Sequence, residues 1–205
     1  MMRVVVTGFG PFPGAPFNPS ALLVKALALR RRPALAGIER ITHVFATSYA
    51  AVDRDLPKLL AAKPDVVLLF GLAGRRRHLC IETRARNAVT LLFPDADRSK
   101  PRERVIAPAA PAALRGNAPF MRLLGAARSR FPSRLSRDAG GYLCNYVYWQ
   151  ALQRVRDGRP LVQFVHIPPV RVGPRRPRKH SHHSLAQLVR AAEAILIELV
   201  AESRS

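Results

Sequence analysis

The sequence predicts an α/β fold: one three-layer domain over residues 1–205, with helices on both faces of a mostly parallel, twisted sheet. First, short β-branched runs alternate with helical segments along the chain, an order typical of parallel sheets with right-handed crossovers. Second, a hydrophobic fraction of 48% in 205 residues is enough for one sizeable core. Third, no apolar run approaches the roughly 18–20 residues that span a bilayer, so we expect no membrane partner.

The first half of the chain carries three predicted strands. Asn18 is a typical helix cap, and Pro19 suits the first position of the helix that follows it. In order, we expect a strand over 4–7, a helix from Pro19, a strand over 40–47, a helix over 50–62, a strand over 65–70 that ends at Gly71, and extended chain over 78–89.

The second half begins with a segment rich in proline, alanine and charge, which predicts irregular structure. In order, we expect that loop over 93–119, a helix over 120–130, a short strand over 133–136, a helix over 142–155, a strand over 161–166, a basic loop over 170–183 and a closing helix over 184–201. Ligands of parallel sheets collect at the carboxyl ends of the strands. This rule places the opening loop, the loop at Gly71 and the segment after His166 at one edge.

The formal net charge of +21 is the most unusual property of the composition. Clustered Lys and Arg favour phosphate backbones, but here the arginines are scattered and accompany no recognisable nucleic-acid-binding motif. We therefore expect no specific nucleic-acid partner, only weak non-specific association at low salt. The first ten residues lead into a Gly/Pro loop too early for a signal peptide, which predicts a cytoplasmic location.

The sequence predicts neither a cofactor nor a metal. The opening stretch GFGPF lacks the GxGxxG spacing of a dinucleotide site, and the two cysteines have no metal-type spacing. The run from Lys179 to His183, KHSHH, offers imidazoles to a transition metal. Without a nearby cysteine or carboxylate, a solvated loop is the favoured interpretation.

Three residues could form a nucleophilic centre. Cys144 follows Gly140-Gly141 and is expected in the first turn of a helix, where free N–H groups and the helix dipole favour a thiolate. His166 ends an apolar strand and could exchange a proton with that thiol. Glu82, if buried, could orient the imidazole. The alternatives are a cysteine that faces the sheet, a structural histidine and a surface glutamate.

At these positions the sequence resembles the pyroglutamyl peptidase I family, the pyrrolidone-carboxylate peptidases, which are cysteine peptidases of α/β fold. The motifs that carry the resemblance occur in the family order: VTGFGPFPGAPFNPS from Val6, GLAG from Gly71, IETRARN from Ile81, SRDAGGYLCNYVYWQAL from Ser136 and FVHIPP from Phe164.

The resemblance implies a cofactor-free exopeptidase that removes an N-terminal pyroglutamyl residue from peptides. It implies Cys144 as nucleophile, His166 as general base and Glu82 as third member. Aromatic residues of the opening loop line the lactam pocket in this family; here they correspond to Phe9 and Phe12. Phe93, Asn18, Gly71 and Leu72 complete the set of expected substrate-binding residues. Self-association in the family implies a dimer or tetramer, although a charge of +21 opposes close packing unless the interface excludes the arginines.

The chain departs from the family pattern near the expected site. Thr83 replaces an arginine after Glu82, Leu92 replaces an arginine close to the active site, and Phe93 replaces an aliphatic pocket residue. Two alternatives to pyroglutamyl hydrolysis follow. One is the same Cys-His-Glu hydrolase with a different amide specificity, and the other is a catalytically weak homologue that acts as a basic binding protein.

Overall fold

A computed structural model of the protein describes residues 1–12, 15–171 and 183–205. In chain order its elements are β1 (Arg3–Phe9), α1 (Pro19–Ala28), a 3-10 helix (Pro33–Leu35), β2 (Glu39–Phe45), α2 (Tyr49–Ala61), β3 (Val66–Leu72), β4 (Leu79–Glu82), β5 (Arg84–Arg86), β6 (Ala113–Arg115), α3 (Phe120–Arg128), β7 (Ser133–Ser136), α4 (Leu143–Leu152), β8 (Leu161–Ile167) and α5 (Leu185–Arg204).

A six-stranded sheet in the order β2-β1-β3-β8-β4-β7 forms the middle layer. The strands β2, β1, β3 and β8 are mutually parallel, which confirms the predicted α/β architecture. At the far edge β4 pairs antiparallel with β8, and β7 runs parallel to β4. The sheet is therefore mixed, with its last two strands reversed.

The helices divide between the two faces of the sheet, as predicted. Side chains of β3 alternate between the faces, because successive residues of a strand point in opposite directions. Leu68 joins the core beneath α1, α3 and α5, whereas Leu69 joins the core beneath α2 and α4. Both leucines are fully buried.

The helix starts follow the predicted caps. Asn18 accepts a hydrogen bond from the backbone N–H of Ser20, and Pro19 occupies the first position of α1. Ser184 and Gln187 form a reciprocal capping box at the start of α5. None of the helices in the described ranges is both long enough and apolar enough to cross a membrane.

The segment predicted as extended over 78–89 divides into two strands with different partners. The N–H of Thr83 still donates to Ser136 at the sheet edge, but its carbonyl accepts from Gly116, so the chain changes partner there. Beyond it, β5 pairs with β6 in a separate two-stranded ribbon. The sequence predicted only loop at β6, because strands of three residues leave almost no periodic pattern.

Three loops meet at the carboxyl edge of the parallel strands, where the sequence placed them. The N–H of Gly10 donates to the carbonyl of Phe45, which ties the opening loop to the end of β2. Similarly, the N–H of Ala73 donates to the carbonyl of Ile167, which ties the loop after Gly71 to the end of β8. The basic loop expected over 170–183 lies mostly outside the described residues.

Candidate active site

Cys144 is the second residue of α4 and lies at the helix N-terminus, in the first turn as predicted. The cap residue Tyr142 supplies no side-chain hydrogen bond to the first turn, so the initial N–H groups of the helix remain available to an anion. Asn145 fixes the helix laterally: its side chain accepts from the N–H of Arg86 and donates to the carbonyls of Arg86 and Ala88. The thiol is thus placed by a rigid element.

Gly71 makes room for that thiol. A Cβ at this position of β3 would lie 2.6 Å from the Cys144 sulfur and 2.7 Å from the ring of Phe164, closer than carbon atoms tolerate. Gly71 was predicted as a substrate-binding residue. The contact that the structure gives it is this close approach to the sulfur, which requires the absence of a side chain.

His166 lies on β8, where it pairs with Gly71 of β3 on one side and Cys80 of β4 on the other. The residue is 5% exposed, and its imidazole meets the ring of Phe164 edge-on, with ring centroids 4.9 Å apart. The ring interacts with the Cys144 thiol, and its Nδ1 lies 2.8 Å from Oε1 of Glu82. The imidazole therefore bridges a thiol and a carboxylate.

The electrostatics of the centre favour a charged imidazole. Burial lowers the pKa of His166, but the thiolate charge of Cys144 and the hydrogen bond to Glu82 outweigh it and raise the pKa to about 9. Burial also opposes ionisation of Glu82, yet its hydrogen-bonding neighbours, His166 first among them, hold the pKa of that carboxyl below its usual value. The raised pKa of His166 and the lowered pKa of Glu82 favour an imidazolium paired with a carboxylate near neutral pH.

Glu82 is the last residue of β4 and is fully buried. Its backbone carbonyl accepts hydrogen bonds from the Tyr148 hydroxyl and the Gln163 amide, each at 3.0 Å. These two bonds fix the strand end, so the carboxylate reaches the imidazole from a rigid backbone. The alternative of a surface glutamate is excluded.

Arg76 is a member of the cluster that sequence reasoning missed. Its Nη1 donates to Oε1 of Glu82 at 2.6 Å, the same oxygen that faces His166, and its Nη2 donates to the carbonyl of Asp138 at 2.6 Å. Arg76 thereby connects the carboxylate to the loop that precedes α4. The run Arg75-Arg76-Arg77 carries no local signal that separates the middle residue from its neighbours.

The expected pocket residues of the opening loop lie in different environments. Phe9 is 3% exposed and packs against Phe45, with ring centroids 5.6 Å apart, in the core beneath α4. Phe12 is half-buried and exchanges backbone hydrogen bonds with Ala15. The amide of Asn18 bonds Ser20 and the carbonyl of Gly10, so it holds the loop from within.

For two other predicted substrate-binding residues, Phe93 and Leu72, the structure shows no contact with the Cys144–His166–Glu82 cluster among the described residues. Phe93 and Leu92 are 64% and 74% exposed on the loop that follows β5. Leu72 is half-buried at the end of β3, one residue beyond Gly71. The assignment of Phe93 as a pocket wall therefore stays a prediction.

No metal site emerges among the residues that the structure describes, where no three His, Cys, Asp or Glu side chains are grouped suitably. Apart from His183, the histidine-rich run lies outside the described residues. His183 itself packs beside Phe131, with ring centroids 4.6 Å apart.

A half-buried thiol at a helix N-terminus, with an imidazole and a buried carboxylate behind it, places the protein in the class of cysteine hydrolases built on an α/β sheet. The chain belongs to the pyroglutamyl peptidase family, whose model matches residues 2–199. It is thus a cysteine peptidase of the pyroglutamyl type.

Individual relatives agree with this assignment. The chain is 32% identical to a pyrrolidone-carboxylate peptidase of Thermococcus kodakarensis over 171 residues, which cover 82% of this chain and 81% of the relative. It is 33% identical over 170 residues to one of Gloeobacter violaceus, with 82% of each chain covered. The crystal structure of pyrrolidone carboxyl peptidase from Thermus thermophilus superposes with a TM-score of 0.84 at 31% identity, covering 95% of this chain and 99% of the other.

Proposed function

We propose that the protein hydrolyses the amide bond that follows an N-terminal pyroglutamyl residue of a peptide, with Cys144 as nucleophile, His166 as general base and acid, and Glu82 as the group that orients and charges the imidazole. The observation that carries this proposal is the single imidazole that contacts both the helix-terminal thiol and a fully buried carboxylate. Membership of the pyroglutamyl peptidase family supports the substrate class.

The first half-reaction is acyl transfer to sulfur. The Cys144 thiolate attacks the scissile carbonyl carbon, and the resulting oxyanion is stabilised by N–H groups of the first turn of α4. The His166 imidazolium then gives its proton to the leaving amine as the C–N bond breaks. The products are the free peptide amine and a pyroglutamyl thioester.

The second half-reaction regenerates the thiol. His166, now neutral, accepts a proton from a water molecule that attacks the thioester carbonyl. The C–S bond breaks, pyroglutamate leaves, and the proton on the imidazole restores the ion pair with Cys144. Glu82 stays ionised throughout, because its pKa is already lowered and its charge stabilises the imidazolium.

We expect a lactam ring to occupy the surroundings of Cys144, as family membership implies. The ring is small and uncharged, and an apolar slot with few hydrogen bonds selects it over free glutamate, whose charged side chain would lose its water. The alternative of a changed amide specificity rested on Leu92 and Phe93, and both side chains are exposed on a loop. Their placement gives that alternative no support.

The assay that tests the proposal compares hydrolysis of a pyroglutamyl-arylamide by the wild type, Cys144→Ser and Cys80→Ser. Cys144→Ser should lose at least about 10³-fold in kcat/KM, because a serine hydroxyl beside this imidazole is a far weaker nucleophile than a thiolate. Cys80 is fully buried on β4, and its substitution should leave most of the activity in whatever fraction folds.

Alkylation provides an independent control. Iodoacetamide should inactivate the wild type and Cys80→Ser at similar rates, because the half-buried Cys144 reacts while the buried Cys80 does not. Substantial turnover by Cys144→Ser, or full activity after stoichiometric alkylation, would contradict the assigned nucleophile. The expected cytoplasmic location and the dimer or tetramer stay predictions, and sedimentation at physiological salt tests the latter.

A further inference from the structure

The side-chain hydroxyl of Tyr49 is buried and has no hydrogen-bond partner among the described residues. Tyr49 is the first residue of α2, and its backbone N–H donates to Oδ2 of Asp95 at 3.0 Å. Burying a hydroxyl without a partner costs free energy, and such groups are rare in folded proteins. This hydroxyl therefore calls for a partner that the described residues do not supply.

Tyr49 lies between two segments of the candidate site. Its ring meets the ring of Tyr142 edge-on, with centroids 5.9 Å apart, and Tyr142 is the cap residue of α4, two positions before Cys144. On the other side, Thr47 donates its hydroxyl to the carbonyl of Gly10 in the opening loop. Tyr49 thus lies beside the cap of the nucleophile helix and two residues from a segment bonded to the opening loop, next to where the lactam pocket is expected.

In contrast to Tyr49, two neighbouring tyrosines have hydroxyl groups with hydrogen-bond partners. The Tyr142 hydroxyl donates to the carbonyl of Pro94 at 2.9 Å. The Tyr146 hydroxyl donates to Oδ1 of Asp53 at 2.6 Å, while its ring stacks edge-on with Tyr49 at 5.0 Å. Of these three tyrosines, only Tyr49 has a hydroxyl that is unpartnered within the described part of the chain.

The protonation state of Tyr49 suits a hydrogen-bond donor. Burial first, and then the neighbouring tyrosines, the Asp95 carboxylate and the Cys144 thiolate, raise the pKa of this phenol well above its usual value. The group therefore stays neutral throughout the working range of a thiol enzyme and keeps its O–H proton.

Four backbone N–H groups in the described part of the opening loop are already hydrogen-bonded. The N–H of Phe9 is bonded to Ser20, that of Gly10 to Phe45, and those of Phe12 and Ala15 to each other's carbonyls. A lactam carbonyl that leaves water for an apolar slot needs a donor, because an unpaired carbonyl would weaken binding strongly. The N–H groups of α4 are already assigned to the scissile carbonyl.

We propose that the Tyr49 hydroxyl donates a hydrogen bond to the ring carbonyl oxygen of the bound pyroglutamyl residue and so selects the lactam. This inference rests on the function proposed above. Tyr49 acts in ground-state binding and touches no reacting atom. Its loss should therefore raise KM for a pyroglutamyl-arylamide by about tenfold or more with little change in kcat.

Equilibrium binding in the Cys144→Ser background separates this role from catalysis. The ligands are pyroglutamide and cyclopentanecarboxamide, a carbocycle of similar shape without the ring carbonyl and ring N–H. Tyr49→Phe should weaken pyroglutamide by about tenfold and leave the carbocycle unchanged, since a site built for a hydrogen bond discriminates against the ligand that lacks it. The control Tyr146→Phe removes a hydroxyl already used by Asp53 and should change neither ligand's affinity.

Thermal unfolding separates a ligand-binding role of the Tyr49 hydroxyl from a purely structural one, because loss of a structural hydroxyl would lower the melting temperature. Tyr49→Phe should keep or raise the melting temperature, because it removes a buried unsatisfied group, whereas Tyr146→Phe should lower it slightly. The inference would be overturned if Tyr49→Phe weakened the binding of both ligands equally or left the affinity for pyroglutamide unchanged. It would also be overturned if the Cys144→Ser parent did not bind pyroglutamide. Absence of hydrolysis by the wild type would instead contradict the proposed function, whatever the binding results.

Discussion

The chain buries two glutamates, and each is paired with two cationic or ionisable partners. Glu193 on α5 receives two hydrogen bonds from Arg30 and two from Arg32, between 2.7 and 3.1 Å, so both of its oxygens are used. Glu82 offers one oxygen, Oε1, to both Arg76 and His166. Its second oxygen has no hydrogen-bond partner in the described residues.

The difference between the two glutamates lies in what their partners can do. Arginine keeps its charge at every accessible pH, so the Glu193 cluster is fixed and can only stabilise. Histidine gains and loses a proton near neutrality, so the Glu82 cluster changes charge during a reaction. The incomplete pairing of Glu82 leaves more of its negative charge to act on the imidazole.

The largest expected effect comes from comparing the variants Glu82→Gln and Glu193→Gln. Glu82→Gln should lower kcat/KM for a pyroglutamyl-arylamide by about 10²–10⁴-fold, because a neutral amide cannot stabilise the imidazolium or hold its tautomer. Glu193→Gln should leave kcat/KM unchanged, since α5 packs on the other face of the sheet. Similar activity losses in the two variants would show that burial, and not the titrating partner, is what matters.

A smaller effect is expected at Arg76, which shares the Glu82 oxygen with His166. Arg76→Gln removes a positive charge beside the carboxylate of Glu82. The carboxylate then stabilises the imidazolium more strongly, which raises the pKa of His166 above its wild-type value of about 9. Activity of the wild type should fall as the pH rises through about 9, because the imidazolium is lost. In the variant, this alkaline limb of the pH–activity profile should move to higher pH. Its kcat at neutral pH should fall about three- to tenfold, since a weaker acid protonates the leaving amine less readily.

Arg76→Lys separates the charge of Arg76 from its bridge to the Asp138 carbonyl. Lysine keeps the positive charge near Glu82 but cannot donate to both groups in the planar geometry of a guanidinium. The alkaline limb should therefore stay near that of the wild type while kcat falls. An unchanged limb in Arg76→Gln would contradict the assignment of Arg76 as a positioning residue that acts through Glu82.

The contrast also shows what the sequence could predict. Strands, helices and caps were predicted within a few residues, because β-branched runs and residues such as Asn18 and Ser184 act locally. The convergence of Cys144 and His166 followed from strand ends and from the helix start. Their roles as nucleophile and base stay predictions until the variants are assayed.

Contacts between distant segments could not be predicted. Arg76 gains its importance from Asp138, 62 residues away, and the ribbon of β5 and β6 joins residues about thirty apart. The unpartnered hydroxyl of Tyr49 has no sequence signal, because a tyrosine at a helix start is as often packed as functional. Such properties depend on three-dimensional neighbours, which a local pattern does not encode.

The smallest expected effect concerns stability alone. The bidentate arginines hold the pKa of Glu193 down at about 2, below its usual 4.5. A carboxyl whose folded pKa is lowered stabilises the fold fully above the unfolded pKa and loses that contribution as the pH falls through the folded pKa. Glu193→Gln should therefore lower the free energy of unfolding at pH 7 by about 1–3 kcal/mol, because the carboxylate is buried while its arginines are half-exposed.

Urea unfolding of the wild type and Glu193→Gln measures this difference at a series of pH values. The gap between their free energies of unfolding should be constant above about pH 5.5 and narrow progressively between about 4.5 and 2 as the wild-type carboxyl takes up its proton. High salt at pH 7 should reduce the gap only partly, since Glu193 is shielded from solvent. A gap that keeps its full pH 7 size at pH 3, or that is accompanied by a loss of hydrolytic activity, would mean that Glu193 also shapes the site and that the two buried glutamates are not independent.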